Sequence, residues 1–366
     1  MRKNAVIFVC SLFLISCSTS GGPQIDAAGW PEWVNAKDAG FSKDGLTELD
    51  SAVDAGNTQS IMVVSDGRVV YSYGDVSRTE GSYIASVRKS LLSILYGIYE
   101  ARGEIELNVT LADLGIDDVK GLTDREKRAT LHDIISARSG IFHPASNASG
   151  VTEADPKRGD HGPGTYYWYN NWDFNAAGGI FEKITGRDIY DAFNDHLAKP
   201  LGMEDFDLAI HKEKGKSGDL TKSTFPAYHF YSSTRDLARI GQLMIDNGEW
   251  RGERIVSQEW VERSTAAITP NSDMNPERYR ESGFGYGYMW WVMDDAHFPP
   301  AYHGGYAARG HFGQYIVVLP AVDLVIAHKT LPVRYKTPEE YEAINVTWDE
   351  MRVLVDLALA ARLTFD

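Results

Sequence analysis

Cysteine is nearly missing from this sequence: there are two in 366 residues, Cys10 and Cys17, both close to the start. No disulfide framework can staple the body of the chain, so its stability must come from a packed core. Basic runs are missing too, and the formal net charge is −15. Such a chain is a poor fit to nucleic acid or to an anionic membrane surface. The ten histidines are scattered, and none forms His-Glu-x-x-His, so no metal site is expected. A Gly-x-Ser-x-Gly elbow is absent, which argues against one common route to a reactive serine. Gly215-Lys216-Ser217 ends like a phosphate-binding loop, but Ile210 stands where the first glycine belongs. No internal repeat or low-complexity block is visible.

What is present fits a soluble protein with a large core, since 43% of residues are hydrophobic and 24% charged. Arg2 and Lys3 followed by the apolar stretch Ala5–Ile15, too short to span a bilayer, read as an export signal over residues 1–16. Leu14-Ile15-Ser16-Cys17 resembles the bacterial lipobox, which implies lipidation at Cys17. Ser18 after it implies sorting to the outer membrane. The expected location is therefore the cell envelope, facing the periplasm, with membrane contact through a lipid anchor only. Residues 17–40, with Ser, Gly, Pro and Ala, are expected to be a tether, and 41–366 one domain.

Within that domain, 43–55 has helical periodicity. Ser60–Val64 and Arg68–Tyr73 read as strands joined at Ser65-Asp66-Gly67. Helices are expected at 131–137, 174–185, 189–197, 234–247 and 258–264. Strands return at 286–293, 314–319 and 324–328, before a last helix from Trp348 to about Leu363. Strands thus lie at both ends of the chain. The fold class expected is α+β: an antiparallel sheet of N- and C-terminal strands flanked by helices, with a mainly helical insertion over about 105–285.

Ser86-Val87-Arg88-Lys89 carries the first chemical signal. A loop-like stretch, Gly81–Ala85, runs into apolar positions Val87, Leu91, Leu92, Leu95 and Ile98 at helical spacing. Residues i and i+3 share a helix face, so the Lys89 amine can reach the Ser86 hydroxyl. A serine hydroxyl is a weak nucleophile until a base takes its proton, and a desolvated lysine can be that base. The competing reading is an N-cap serine followed by a solvated lysine. Tyr169-Asn170-Asn171 lies downstream, and the glycine-rich Ala308–Gln314 runs into the strand Tyr315–Leu319. Tyr166, Tyr167, Trp168 and Trp172 surround Tyr169 in sequence; they could line a cleft, although packing is the better reading for them.

With these residues in place, the chain resembles the serine β-lactamase and penicillin-binding-protein superfamily. The likeness is to the branch of class C β-lactamases, family VIII carboxylesterases, D-alanyl-D-alanine peptidases and 6-aminohexanoate-dimer hydrolases, over about residues 43–365. Ser86–Ser90 fits the first motif, and Pro163-Gly164-Thr165 with Tyr169-Asn170-Asn171 fits the second. Leu131–Gly140, Pro200–Met203 and Ser233–Arg239 also match in position. The third motif, usually Lys-Thr-Gly or His-x-Gly, is altered. Ala308-Arg309-Gly310-His311 is similar to a variant of it, and His303-Gly304-Gly305 is the competing placement. Lys329-Thr330 follows the strand and is followed by Leu331, so it is not that motif.

The resemblance implies a β-lactamase/transpeptidase-like fold and a serine hydrolase with no cofactor, acting on a small ester, amide or peptide-like substrate. It implies Ser86 as nucleophile, Lys89 and Tyr169 as proton-transfer groups, and Asn171 as their orienting partner. It further implies an oxyanion site at Gly310 and His311, formed with the Ser86 N–H, and Arg309 as a holder of an acidic substrate group or a surface ion-pair partner. An ammonium at Lys89 is expected to favour a partly ionised Tyr169. Loss of Lys-Thr-Gly favours ester or amide hydrolysis over β-lactams. β-Lactamase or D-alanyl-D-alanine carboxypeptidase activity, and a non-catalytic envelope-binding lipoprotein, remain the alternatives.

Overall fold

A computed structural model of the chain describes residues 24–25, 30–33, 35–147, 155–330, 337, 340 and 344–363. The expected export signal and Cys17 lie outside the described residues. The labelled helices are α1 (Lys43–Ala55), α2 (Val87–Glu100), α3 (Asn171–Thr185), α4 (Thr234–Ile245) and α5 (Trp348–Ala360). The main strands are β1 (Ser60–Ser65), β2 (Arg68–Gly74), β3 (Phe284–Tyr286), β4 (Trp291–Met293), β5 (Tyr306–Gly310), β6 (Gln314–Leu319) and β7 (Leu324–Lys329).

These strands form one sheet in the order β2-β1-β7-β6-β5-β4-β3, and every neighbouring pair in that run is antiparallel. Two short strands, Gln24–Ile25 and Pro31–Glu32, extend it beyond β2. The sheet therefore joins both ends of the chain across the β1–β7 pair, Ser60 opposite Lys329 and Ser65 opposite Leu324. β1, β6 and β7 are buried throughout, as strands covered on both faces must be.

Register shows which helix covers which face. Tyr71 and Tyr73 of β2 donate to Asp50 and Asp54 of α1, and Tyr71 stands in line with Val63 and Ile326. Helix α4 lies on the other face against Val325, one residue along. The approach is so close that a β-carbon on Gly241 would sit 2.4 Å from Val325 Cγ1. Helix α5 packs along α1.

Two expectations are corrected. Part of the expected 17–40 tether belongs to the domain: Trp30 is buried and donates from Nε1 to Gly67 O, and Trp33 Nε1 donates to Ser65 O. The expected single strand over 286–293 is a hairpin, β3 and β4. Its turn puts Met289 at φ 61°, a left-handed conformation that no glycine or asparagine announces.

Candidate active site

Ser86 stands at the junction of a loop and α2. Ala85 before it is held at φ 48°, which is uncommon for a residue with a β-carbon and turns the chain sharply into the helix. Ser86 is the N-cap residue of α2, yet its hydroxyl caps no backbone N–H. It meets Lys89 Nζ at 3.0 Å instead.

Lys89 is 1% exposed and is the centre of the cluster. Its Nζ lies 2.6 Å from Tyr169 Oη and 3.1 Å from Asn171 Oδ1. The amine also sits over the Tyr169 and Phe174 rings, at 4.1 and 4.3 Å from their centroids. The two asparagines divide their duties: Asn170 caps α3 by accepting from Asp173 N, which leaves Asn171, the first residue of the helix, to reach Lys89. Tyr169 is braced by Phe174, Tyr286 and Trp291, with ring centroids 4.8–5.9 Å away. Of its sequence neighbours, Tyr167 and Trp172 are buried packing residues. Tyr166 is half-buried and stacks on His161 at 3.7 Å.

The electrostatics follow from burial. Desolvation pushes the Lys89 amine well below its ordinary pKa, and the Arg88 charge adds to that. Desolvation pushes the Tyr169 phenol up, opposed by its hydrogen bond with Ser86. Ammonium with phenolate and amine with phenol hold the same number of protons; they differ by one proton moved across the 2.6 Å contact. A dry site favours the uncharged pair. Burial thus works against the partly ionised Tyr169 expected from the sequence and toward a phenol beside an amine.

The third segment reaches the same place from the sheet. Gly310 ends β5 so close to the Ser86 loop that a β-carbon on it would lie 2.5 Å from Ile84 O and 3.2 Å from Val87 Cγ2. Gly305 lies elsewhere, against Met293, Tyr302 and Leu319. His311 follows in the β5–β6 turn, and burial pushes its imidazole pKa down. Arg309 does not join the Ser86 cluster. Its guanidinium sits in an aromatic cage, 4.7 Å from the Phe284 and Trp291 centroids and 5.5 Å from that of Trp348, and its Nη1 is buried without a hydrogen bond.

Two residues with a bearing on the site escaped the sequence reading. Lys329, set aside as no motif, is buried and donates to Ser82 O at 2.9 Å and to Ser232 O, tying the loop before Ser86 to the start of α4. Arg88, which on a helix surface would be solvated, is 2% exposed. Among the described residues no three His, Cys, Asp or Glu side chains converge as metal ligands would.

A serine hydroxyl freed from capping, a buried amine and a phenol thus share one hydrogen-bonded cluster. The family model described as Beta-lactamase matches residues 49–329, and the chain belongs to that family; it is an enzyme of the serine-hydrolase type. It is similar to the 6-aminohexanoate-dimer hydrolase of Paenarthrobacter ureafaciens, with 25% identity over 77% of this chain and 74% of that one. Its fold is like that of a family VIII carboxylesterase, with TM-score 0.60 and 14% identity over 88% of this chain and 99% of the other. It is also like the penicillin-binding protein of Bacillus halodurans, with TM-score 0.59 and 12% identity over 84% and 99% of the two chains.

Proposed function

We propose that this protein hydrolyses an ester or amide bond through an acyl-enzyme on Ser86. One observation carries the reading: the Ser86 hydroxyl caps nothing and lies 3.0 Å from a buried Lys89 amine that also meets Tyr169 and Asn171. Ser86 Oγ attacks the carbonyl carbon while Lys89 takes its proton. The Tyr169 O–H protonates the leaving group and is refilled from the Lys89 ammonium across their contact. Water then attacks the acyl-enzyme, with the proton transfers reversed, and frees Ser86. Backbone N–H groups of Ser86 and His311 receive the oxyanion, each worth about 3 kcal/mol. Asn171 holds Lys89 between its two proton partners.

An ester or amide is favoured over a β-lactam because no lysine of a Lys-Thr-Gly motif stands beside Gly310. The aminohexanoate-dimer hydrolase and the carboxylesterase among the similar proteins support the same bond classes. In the test, purified protein is offered p-nitrophenyl acetate, nitrocefin and a fluorophosphonate probe. The reading expects ester turnover to exceed nitrocefin turnover and the probe to label Ser86; equal labelling of Ser86→Ala would refute it. The N-terminal lipobox makes the enzyme an envelope lipoprotein in this reading. Palmitate labelling of the full chain should vanish in Cys17→Ser, and labelling that persists would remove the anchor.

A further inference from the structure

Arg88 stands next to the proposed base with its charge unmatched. Nη2 donates to Asn175 Oδ1 at 2.9 Å, while Nη1 is buried with no acceptor. No ion pair joins Arg88 to a described carboxylate. The guanidinium lies 4.2 Å from the centroid of the Tyr228 ring. Tyr228 and Tyr190 are 2% and 1% exposed, and neither buried hydroxyl makes a well-formed hydrogen bond: the Tyr228 oxygen faces the Arg88 guanidinium and the Tyr190 oxygen faces the His229 backbone N–H. Burial pushes both phenols up, Tyr228 to about 12, and the Arg88 charge is the main force opposing it on each. They are therefore neutral O–H donors. His229, with Nδ1 unpartnered, is pushed down to about 4 by burial and then by Arg88, so it too is neutral. The carboxylates that act on Tyr190, Asp188 and Glu182, are engaged by Lys212 and Lys216, so the Arg88 charge is left beside groups that have a hydrogen to donate. Water could satisfy those hydrogens but not the charge, and a buried charge without a counter-charge is costly.

We propose that Arg88, with the hydroxyls of Tyr190 and Tyr228, holds a small inorganic anion of the halide class behind Lys89, and that filling this site sets how readily Lys89 takes up a proton. The enclosure admits only a small ion, since Arg88 and both tyrosines are almost wholly buried. The coupling is electrostatic. Arg88 adjoins Lys89 and depresses its proton affinity; an anion on Arg88 cancels part of that effect. The other groups facing Lys89 are Ser86, Tyr169 and Asn171, with Phe174 beneath the amine. The nearby buried carboxyl of α3, Asp173, accepts from Ser139 Oγ at 2.6 Å and is pushed well up by burial, so it is a poor substitute counter-charge.

The kinetic half of this proposal rests on the hydrolase reading above; the binding half does not. In the test, purified protein in sodium gluconate is moved to chloride or bromide at constant ionic strength. Crystals in bromide should show an anomalous peak against Arg88. Chloride should raise Tm saturably, and both effects should be lost in Arg88→Gln and weakened in Tyr228→Phe. On the acid limb of p-nitrophenyl acetate hydrolysis, chloride should move the midpoint up by about half a pH unit, a roughly threefold slowing well below the midpoint. No bromide peak, with a chloride response identical in both variants, would overturn the site in favour of ordered water only. A peak at Arg88 with an unmoved rate profile would overturn the coupling alone. If no Ser86-dependent hydrolysis exists, the hydrolase reading fails while diffraction and melting still decide the site.

Discussion

The Ser86 hydroxyl caps no backbone N–H of the helix it begins, and Lys89 contributes no ion pair to the surface; the two side chains meet each other instead. The direction of the Lys89 shift has a kinetic consequence. In the proposed reaction its amine must be neutral to accept the serine proton, and burial holds its pKa well below the ordinary lysine value. Rate should therefore climb as pH rises through that lowered pKa and reach its plateau below the usual lysine range. The Tyr169 phenol is pushed the other way, so no decline should set in near pH 10, where an ordinary tyrosine ionises. A profile of kcat/KM against pH checks both limbs; a fall beginning at pH 9 would contradict the neutral-phenol assignment. Lys89→Ala should lose about 10²–10⁴-fold in kcat with little change in Tm. These residues were legible in the sequence because one helical turn sets the Ser86–Lys89 spacing. Arg88 was not legible. The periodic apolar positions suggested one buried face, whereas α2 runs through the interior and every residue from Val87 to Tyr99 is buried.

Among elements, β5 and α2 meet at Gly310, and that contact is where the third segment takes its place. A β-carbon there has nowhere to go, because the nearest atom is backbone, Ile84 O at 2.5 Å. Gly310→Ala should push β5 or the Ser86 loop aside and cost tenfold or more in kcat/KM, since small misplacements at a reacting centre are expensive. Gly305→Ala meets Met293 Sδ and Tyr302 O at 2.6 Å, away from Ser86. It should lower Tm while the remaining folded enzyme keeps its rate. Assaying both variants at a temperature where each is folded separates the two placements, and equal losses of rate would refute the distinction. The sequence pattern could show a glycine-rich turn in each case but not which turn abuts the serine, because that depends on the pairing of β5 with β6 and on where α2 crosses them. The helix 258–264 was readable to the residue, Gln258–Ser264, because Ser257 caps it by accepting from Trp260 N. The β3–β4 hairpin was not, because its left-handed position is Met289, where a glycine or asparagine would have marked the turn.

The molecule as a whole is organised by the β1–β7 pair, which brings Ser60–Ser65 against Leu324–Lys329. The α+β class was legible because strands cluster at both ends of the chain. The central seam follows from the same pattern only once the register is known. Chain stopped after residue 283 would retain Ser86, Lys89 and Tyr169 but lack five strands of the sheet. Such a fragment should be protease-sensitive and unlabelled by fluorophosphonate; a compact, labelled fragment would show that the helical region builds the site alone. Contacts of such long sequence separation are closed late in folding. A ribosome carrying the unfinished chain thus displays a serine whose neighbour from the sheet, Gly310, is not yet in place. In the proposed reading the chemistry waits for β3–β7, and a message cut short before them yields an inert product.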